Sequence, residues 1–160
     1  MQKIKWIFIA IMTTVSCSKP GVAMSGSNPM RSCTFSEMHI AIQLDGKPAN
    51  GAKVTRTVDW RKEIVDEFNA DENGEVTLPA QFETSFTKFL PMEFVSSQYI
   101  TVEFDDKEYV IWNYAKREAA LNSEMNGKPL KLVCELSNEA KTQRAFGSIL
   151  STPCTWANED

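Results

Sequence analysis

An all-β, antiparallel sandwich is the fold this sequence predicts, and three observations lead to it. Apolar residues recur at alternate positions in several short stretches, Gly, Pro, Asn and Asp punctuate the chain between them, and one segment alone has helix-forming composition. The 160 residues are 42% hydrophobic and 24% charged, ordinary globular values that fit one domain with a real core.

The first residues stand apart from that domain. Lys3 and Lys5 flank an apolar run, Trp6 to Val15, which is shorter than the ~20 residues that span a bilayer, so residues 1–16 read as a secretory signal peptide. In TTVSC, Cys17 stands where a lipoprotein signal carries its acylated cysteine; the segment resembles a bacterial lipobox with Thr14 in place of the usual leucine. Cleavage after Ala23, with Gly21 at the minus-three position, is the alternative and would release a soluble periplasmic protein. On the lipobox reading, residues 17–31 are a flexible tether to a lipid-anchored Cys17. Ser18 resembles the outer-membrane sorting choice of enteric-type lipoproteins, so the expected location is the periplasm, anchored by preference to the outer membrane. The sandwich domain then occupies 32–160.

From Phe35, the apolar side chains of Met38, Ile40, Ile42 and Leu44 fall at a period of two and predict a half-buried strand. DGKPANG, Asp45 to Gly51, follows, and Val54, Val58 and Trp60 resume the alternation. A phosphate-cradling loop would deliver the chain into a helix; bracketed by strands, the segment is a turn in which Gly46 and Gly51 supply backbone freedom and Pro48 stiffness. EIVDEFNA and EVTLP flank DENG, Asp71 to Gly74, a hairpin signal; YITVEF and EYVIWNY flank DDK, Asp105 to Lys107, and predict another. Tyr114 to Met125 is the one expected short helix, stopped by Gly127. PLKLVCEL and GSILSTPCTW supply the last strands, after a second turn at Asn126 to Pro129.

GKPANGAKVTRTVDW followed by FNADENGEVTLP resembles the carboxypeptidase-regulatory or transthyretin-like branch of immunoglobulin-like domains, in which a G-x-P-x-x-G-A-x-V strand precedes a D-x-x-G-x-(F/V)-x-L-P hairpin. The likeness covers Gly46 to Pro79 and implies an immunoglobulin-like sandwich without implying an activity. The remainder resembles a small bacterial family of exported domains, and the resemblance implies a role for some relatives as immunity proteins beside antibacterial effectors.

Composition narrows the partners. The net charge is −4; loss of residues 1–16 removes Lys3 and Lys5 and leaves 15 basic against 21 acidic groups, about −6. Nucleic-acid binders are basic, and the longest basic runs here are Arg61-Lys62 and Lys116-Arg117, so nucleic acid and anionic headgroups are poor partners; the resemblance implies a protein partner, a toxin encoded nearby, the acidic charge suits a basic one, and the membrane is touched through the lipid alone.

Chemistry finds little to build on. His39 lies between Met38 and Ile40, on the outward face of its strand, and no G-x-S-x-G accompanies it. Asn69, Asp71 and Asn73 alternate as in an EF-hand loop, but the twelfth position is Ala80 rather than glutamate. No metal, cofactor or catalytic residue is expected; a cell-wall hydrolase using two of the many carboxylates is retained as an alternative, as is a structural or assembly accessory of the envelope. Cys33, Cys134 and Cys154 are too far apart for a zinc site, and export predicts a disulfide, which we assign to Cys134 and Cys154 because it would fasten the irregular return, Ser137 to Pro153, to the sheet. Phe82, Phe86 and Phe89 fall roughly on one helical face ahead of Pro91 and read as a crossover covering one end of the core. Trp60 beside Arg61, if exposed, supplies the partner-binding anchor.

Overall fold

A computed structural model describes residues 31–84 and 93–157. The signal peptide, Cys17, tether residues 17–30 and the ring pair Phe86 and Phe89 lie outside the described residues. Thirteen strands follow: β1 (Arg31–Phe35), β2 (Met38–Leu44), β3 (Lys47–Pro48), β4 (Lys53–Asp59), β5 (Glu63–Asn69), β6 (Glu75–Leu78), β7 (Gln81–Thr84), β8 (Ser96–Phe104), β9 (Lys107–Lys116), β10 (Leu130–Glu135), β11 (Lys141–Ala145), β12 (Ser148–Thr152) and β13 (Thr155–Trp156), with a 3-10 turn at Ser123–Met125. They form the expected all-β sandwich.

One sheet is six-stranded, β11-β12-β9-β8-β4-β5, and antiparallel throughout. The other runs β13-β10-β2, with β3 and β6 both pairing to the far side of β2. β1 and β7 form a separate pair. Between the two sheets Val54, Val58, Ile100, Val102, Trp112 and Leu150 meet Met38, Ile40, Ile42, Leu78, Leu130 and Leu132. The period of two in β2 holds: Met38, Ile40 and Ile42 are sealed while His39 faces out.

β10 lies parallel to β2, from Leu130 opposite Met38 to Glu135 opposite Gln43, an exception to the expected antiparallel pairing. Both strands alternate in phase, so this register turns Leu130, Leu132 and Cys134 inward together with their neighbours. The β8–β9 hairpin forms as expected, with Asp105 and Asp106 both at positive φ, 51° and 58°. A bulge between Ile100 and Thr101 lets both Ile111 and Trp112 point into the core.

Four expectations are corrected. Asp71 to Gly74 does not close a hairpin: β5 pairs with β4, whereas β6 crosses to β2 in the other sheet. The Asp71 carboxylate accepts the N–H groups of Asn73 and Glu75, both at 2.8 Å, and the Gly74 carbonyl accepts from Ile42 N at 2.8 Å, so the turn delivers the chain onto β2. The expected helix shrinks to the 3-10 turn, because Tyr114 and Lys116 continue β9 against Gln98 and Ser96, and cross-strand pairing overrides helix propensity. Phe82 sits in β7, opposite Cys33, rather than on a helical face. The return between Ser137 and Pro153 is not irregular: β11 and β12 form a hairpin around Phe146 and Gly147, both at positive φ.

Candidate functional site

The glycine-rich turn after β2 carries two amides aimed at one anion, and the protein supplies that anion itself. Asp45 and Gly46 take positive φ, 51° and 73°, and their N–H groups donate to the two Glu135 carboxylate oxygens, both at 2.9 Å. Hydrogen bonds from Gly46 first, then from the Ser137 hydroxyl, pull the Glu135 pKa down to about 2. The segment is a turn latched by a carboxylate.

A second polar cluster lies inside. Lys116 Nζ is 2.6 Å from Glu124 Oε2, both side chains 1% exposed. The same oxygen accepts the Ser36 hydroxyl at 2.6 Å, while Oε1 accepts Ser36 N at 3.0 Å and Gln98 Nε2 at 2.9 Å. Ser36 Oγ in turn accepts from Lys116 at 3.0 Å and from Asn122 N at 2.7 Å. A hydroxyl has one donor and two acceptor sites; all three are occupied, so Ser36 keeps no free lone pair with which to attack a substrate. Gln98 completes the cluster, bonding the Thr34 carbonyl and receiving Trp112 Nε1 at 3.1 Å. Cys33 lies at its margin, 3.8 Å from Lys116 Nζ; burial pushes its thiol pKa up against the opposing pull of Lys116, so it stays protonated and unreactive at neutral pH. The cluster ties the β1–β2 joint, β8, β9 and the 3-10 turn together.

Arg56 is the third buried ion. Its guanidinium lies 4.6 Å from the Phe35 ring and 5.2 Å from the Phe68 ring and donates to Asp66 and to the Pro79 carbonyl. Sequence alternation named Val54 and Val58 but passed over Arg56, although it occupies the same parity between them. Lys116 follows Trp112 and Tyr114 in the same way. That parity was the available signal; charge masked it.

Trp60 and Arg61 lie in the short turn from β4 to β5, with the Trp60 ring half-buried, 5.3 Å from Phe94 on one side and 4.6 Å from the Arg61 guanidinium. Cys134 and Cys154 are bonded and Cys33 is a free, buried thiol. The disulfide joins β10 of the smaller sheet to the chain leaving β12 of the larger one. His39 is exposed, bonded to Thr77 at 2.9 Å and 3.2 Å from Glu37. Among the described residues no three His, Cys, Asp or Glu side chains assemble as metal ligands would, and no helix is long and apolar enough to cross a membrane.

Among the described residues the fold is an all-β sandwich stapled by the Cys134–Cys154 disulfide, with a buried Lys116–Glu124 pair between its elements. The chain belongs to a family described as a domain of unknown function, DUF6795, which matches residues 38–139. The match opens at the first residue of β2 and ends before the β11–β12 hairpin and Cys154. No curated protein and no solved structure matches the chain.

Proposed function

We propose that this protein is a lipid-anchored binding module of the bacterial periplasm, held at the outer membrane through Cys17, and that it acts as an immunity protein, neutralising a cognate antibacterial effector by direct, non-covalent occupation. The observation that carries the reading is the Trp60 arrangement. A half-exposed indole braced by Phe94 and covered by Arg61 offers, at a chain turn, the residue types that dominate binding energy at protein interfaces. The net charge of about −6 after loss of residues 1–16 favours association with a basic effector by steering. The test is periplasmic expression of the product of the adjacent gene with and without this protein. The reading expects toxicity alone, rescue together and a co-purifying complex; a harmless neighbour, or rescue with the toxin cleaved or modified, overturns it.

A further inference from the structure

The outward face of the six-stranded sheet is unusual in what it leaves uncovered. Of the six large hydrophobic side chains exposed among the described residues, four stand on this face: Val65 (53%), Tyr99 (38%), Val110 (38%) and Ile149 (56%). The register sets out why. Val65, Thr57, Tyr99, Asn113, Ser151 and Thr142 are paired neighbour to neighbour across β5, β4, β8, β9, β12 and β11. That lane contains no charged residue, and six strands at ~4.8 Å spacing make it about 24 Å long. Thr55, Thr101 and Val110 form a second row beside it.

Carboxylates border the β5–β4–β8–β9 part of the lane. Asp59 and Glu63 pair on one side, balanced by Arg61 and Lys62 in the turn between them; Glu67, Glu103 and Glu108 lie on the other, where the cations are Lys107 and Lys53, the latter held by Glu67 at 2.7 Å. With the adjoining Asp105-Asp106 turn, five carboxylates against two ammonium groups make this second edge acidic. The centre bears hydroxyls, one amide and the Val65 side chain rather than ions, so it is cheaper to dehydrate than a charged surface, and its polar groups need partners that hydrogen-bond. Trp60 and Arg61 follow Asp59 directly, at one corner of the face.

We infer that this face, centred on Thr57 and Tyr99, is the seat of the partner, and that the partner is a protein presenting apolar and uncharged polar side chains flanked on one edge by lysine and arginine. The inference rests on the binding-module reading and adds a surface and a partner chemistry to it. An uncharged lane excludes water at the middle of the contact, while the acidic edge speeds encounter and rejects acidic proteins.

Photo-crosslinking in cells tests it, with the full-length protein and the tagged product of the adjacent gene as the probe. A photoreactive phenylalanine analogue replaces Thr57 or Asn113 in the lane, or Ala41 or Val133 on the other sheet. The inference expects crosslinks from Thr57 and Asn113 and none from Ala41 or Val133. In purified complexes, Thr57→Arg weakens binding about tenfold or more, and Glu103→Lys weakens it several-fold while flattening its salt dependence. Far-ultraviolet circular dichroism and urea midpoints confirm that both variants fold. A complex that forms but crosslinks through Ala41 or Val133, or a folded Thr57→Arg variant with affinity within twofold of the parent, overturns the surface and leaves the module reading standing. Failure of the unaltered protein to bind the neighbour overturns both.

Discussion

Lys116 and Glu124 form an ion pair at 2.6 Å in a place where neither side chain reaches water. A buried pair of this kind adds little net stability compared with well-packed apolar residues, yet removing one partner leaves an uncompensated charge. It therefore fixes one arrangement of the 3-10 turn against β9 rather than merely adding strength.

Lys116→Met should accordingly cost roughly 3–5 kcal/mol in urea unfolding. Adding Glu124→Gln, which removes the stranded charge, should recover part of that loss. A single variant within about 1 kcal/mol of the parent would show that the pair is not sealed as described.

The disulfide carries a separate expectation. Replacing Cys134 and Cys154 with alanine should cost about 2–5 kcal/mol, and non-reducing peptide mapping should join their peptides. Cys33 should resist alkylation in the native state and react after unfolding, since burial both hides it and raises its pKa. Rapid native labelling of Cys33, or its linkage to either partner, contradicts the assignment.

Two glycines separate strain from crowding. Gly46 and Gly74 share a positive φ, 73° and 74°, but a Cβ at Gly46 meets open space while one at Gly74 would lie within 2.4 Å of the Ile42 carbonyl oxygen. Gly46→Ala should cost about 1–2 kcal/mol from backbone strain alone. Gly74→Ala should cost clearly more and loosen β6 from β2, measured as faster amide exchange at Ile42. Equal losses at both positions would refute the close approach.

Acid should act on the Glu135 latch. Its folded pKa of about 2 lies below the ordinary 4.5, so its contribution to stability is complete above that ordinary value and disappears as pH falls from about 4.5 towards about 2. Glu135→Gln should lower the melting temperature at pH 6 and fall less steeply than the parent between pH 5 and pH 2. Parallel curves would mean that the Asp45 and Gly46 amides do not hold the carboxylate.

The proposed anchor has its own chemical signature. Metabolic fatty-acid labelling should mark the protein, and Cys17→Ala should abolish the label. Label that persists in the variant, or never appears, favours cleavage after Ala23 and a soluble periplasmic protein.

What could be read from the sequence was local. β2, the β8–β9 hairpin and the turn at Asp45-Gly46 depend on periodicity and dipeptide chemistry within a few residues, and all were legible. The partner of β6 was not, because the Asn73-Gly74 turn is compatible with a hairpin or with a crossing between sheets, and the choice lies in β2's need to cover its edge. The parallel β2–β10 pair joins Met38 to Leu130 across four of the larger sheet's six strands and leaves no local trace. Arg56 and Lys116 occupy inward positions by parity, but a charge in a strand is ordinarily assigned to solvent. Only the assembled rings of Phe35 and Phe68, and the carboxylate of Glu124, make those positions habitable. The uncharged lane on the outer face likewise exists across six strands and in none of them alone.

Native mass spectrometry of the complex recovered from the periplasm, with the adjacent gene product as the second component, tests the central claim most directly. Neutralisation by occupation predicts a complex of fixed stoichiometry in which both chains keep their unmodified masses, and toxicity that returns when the lane carries Thr57→Arg. Rescue without a complex, or a neighbour whose mass has changed by cleavage or modification, would contradict it.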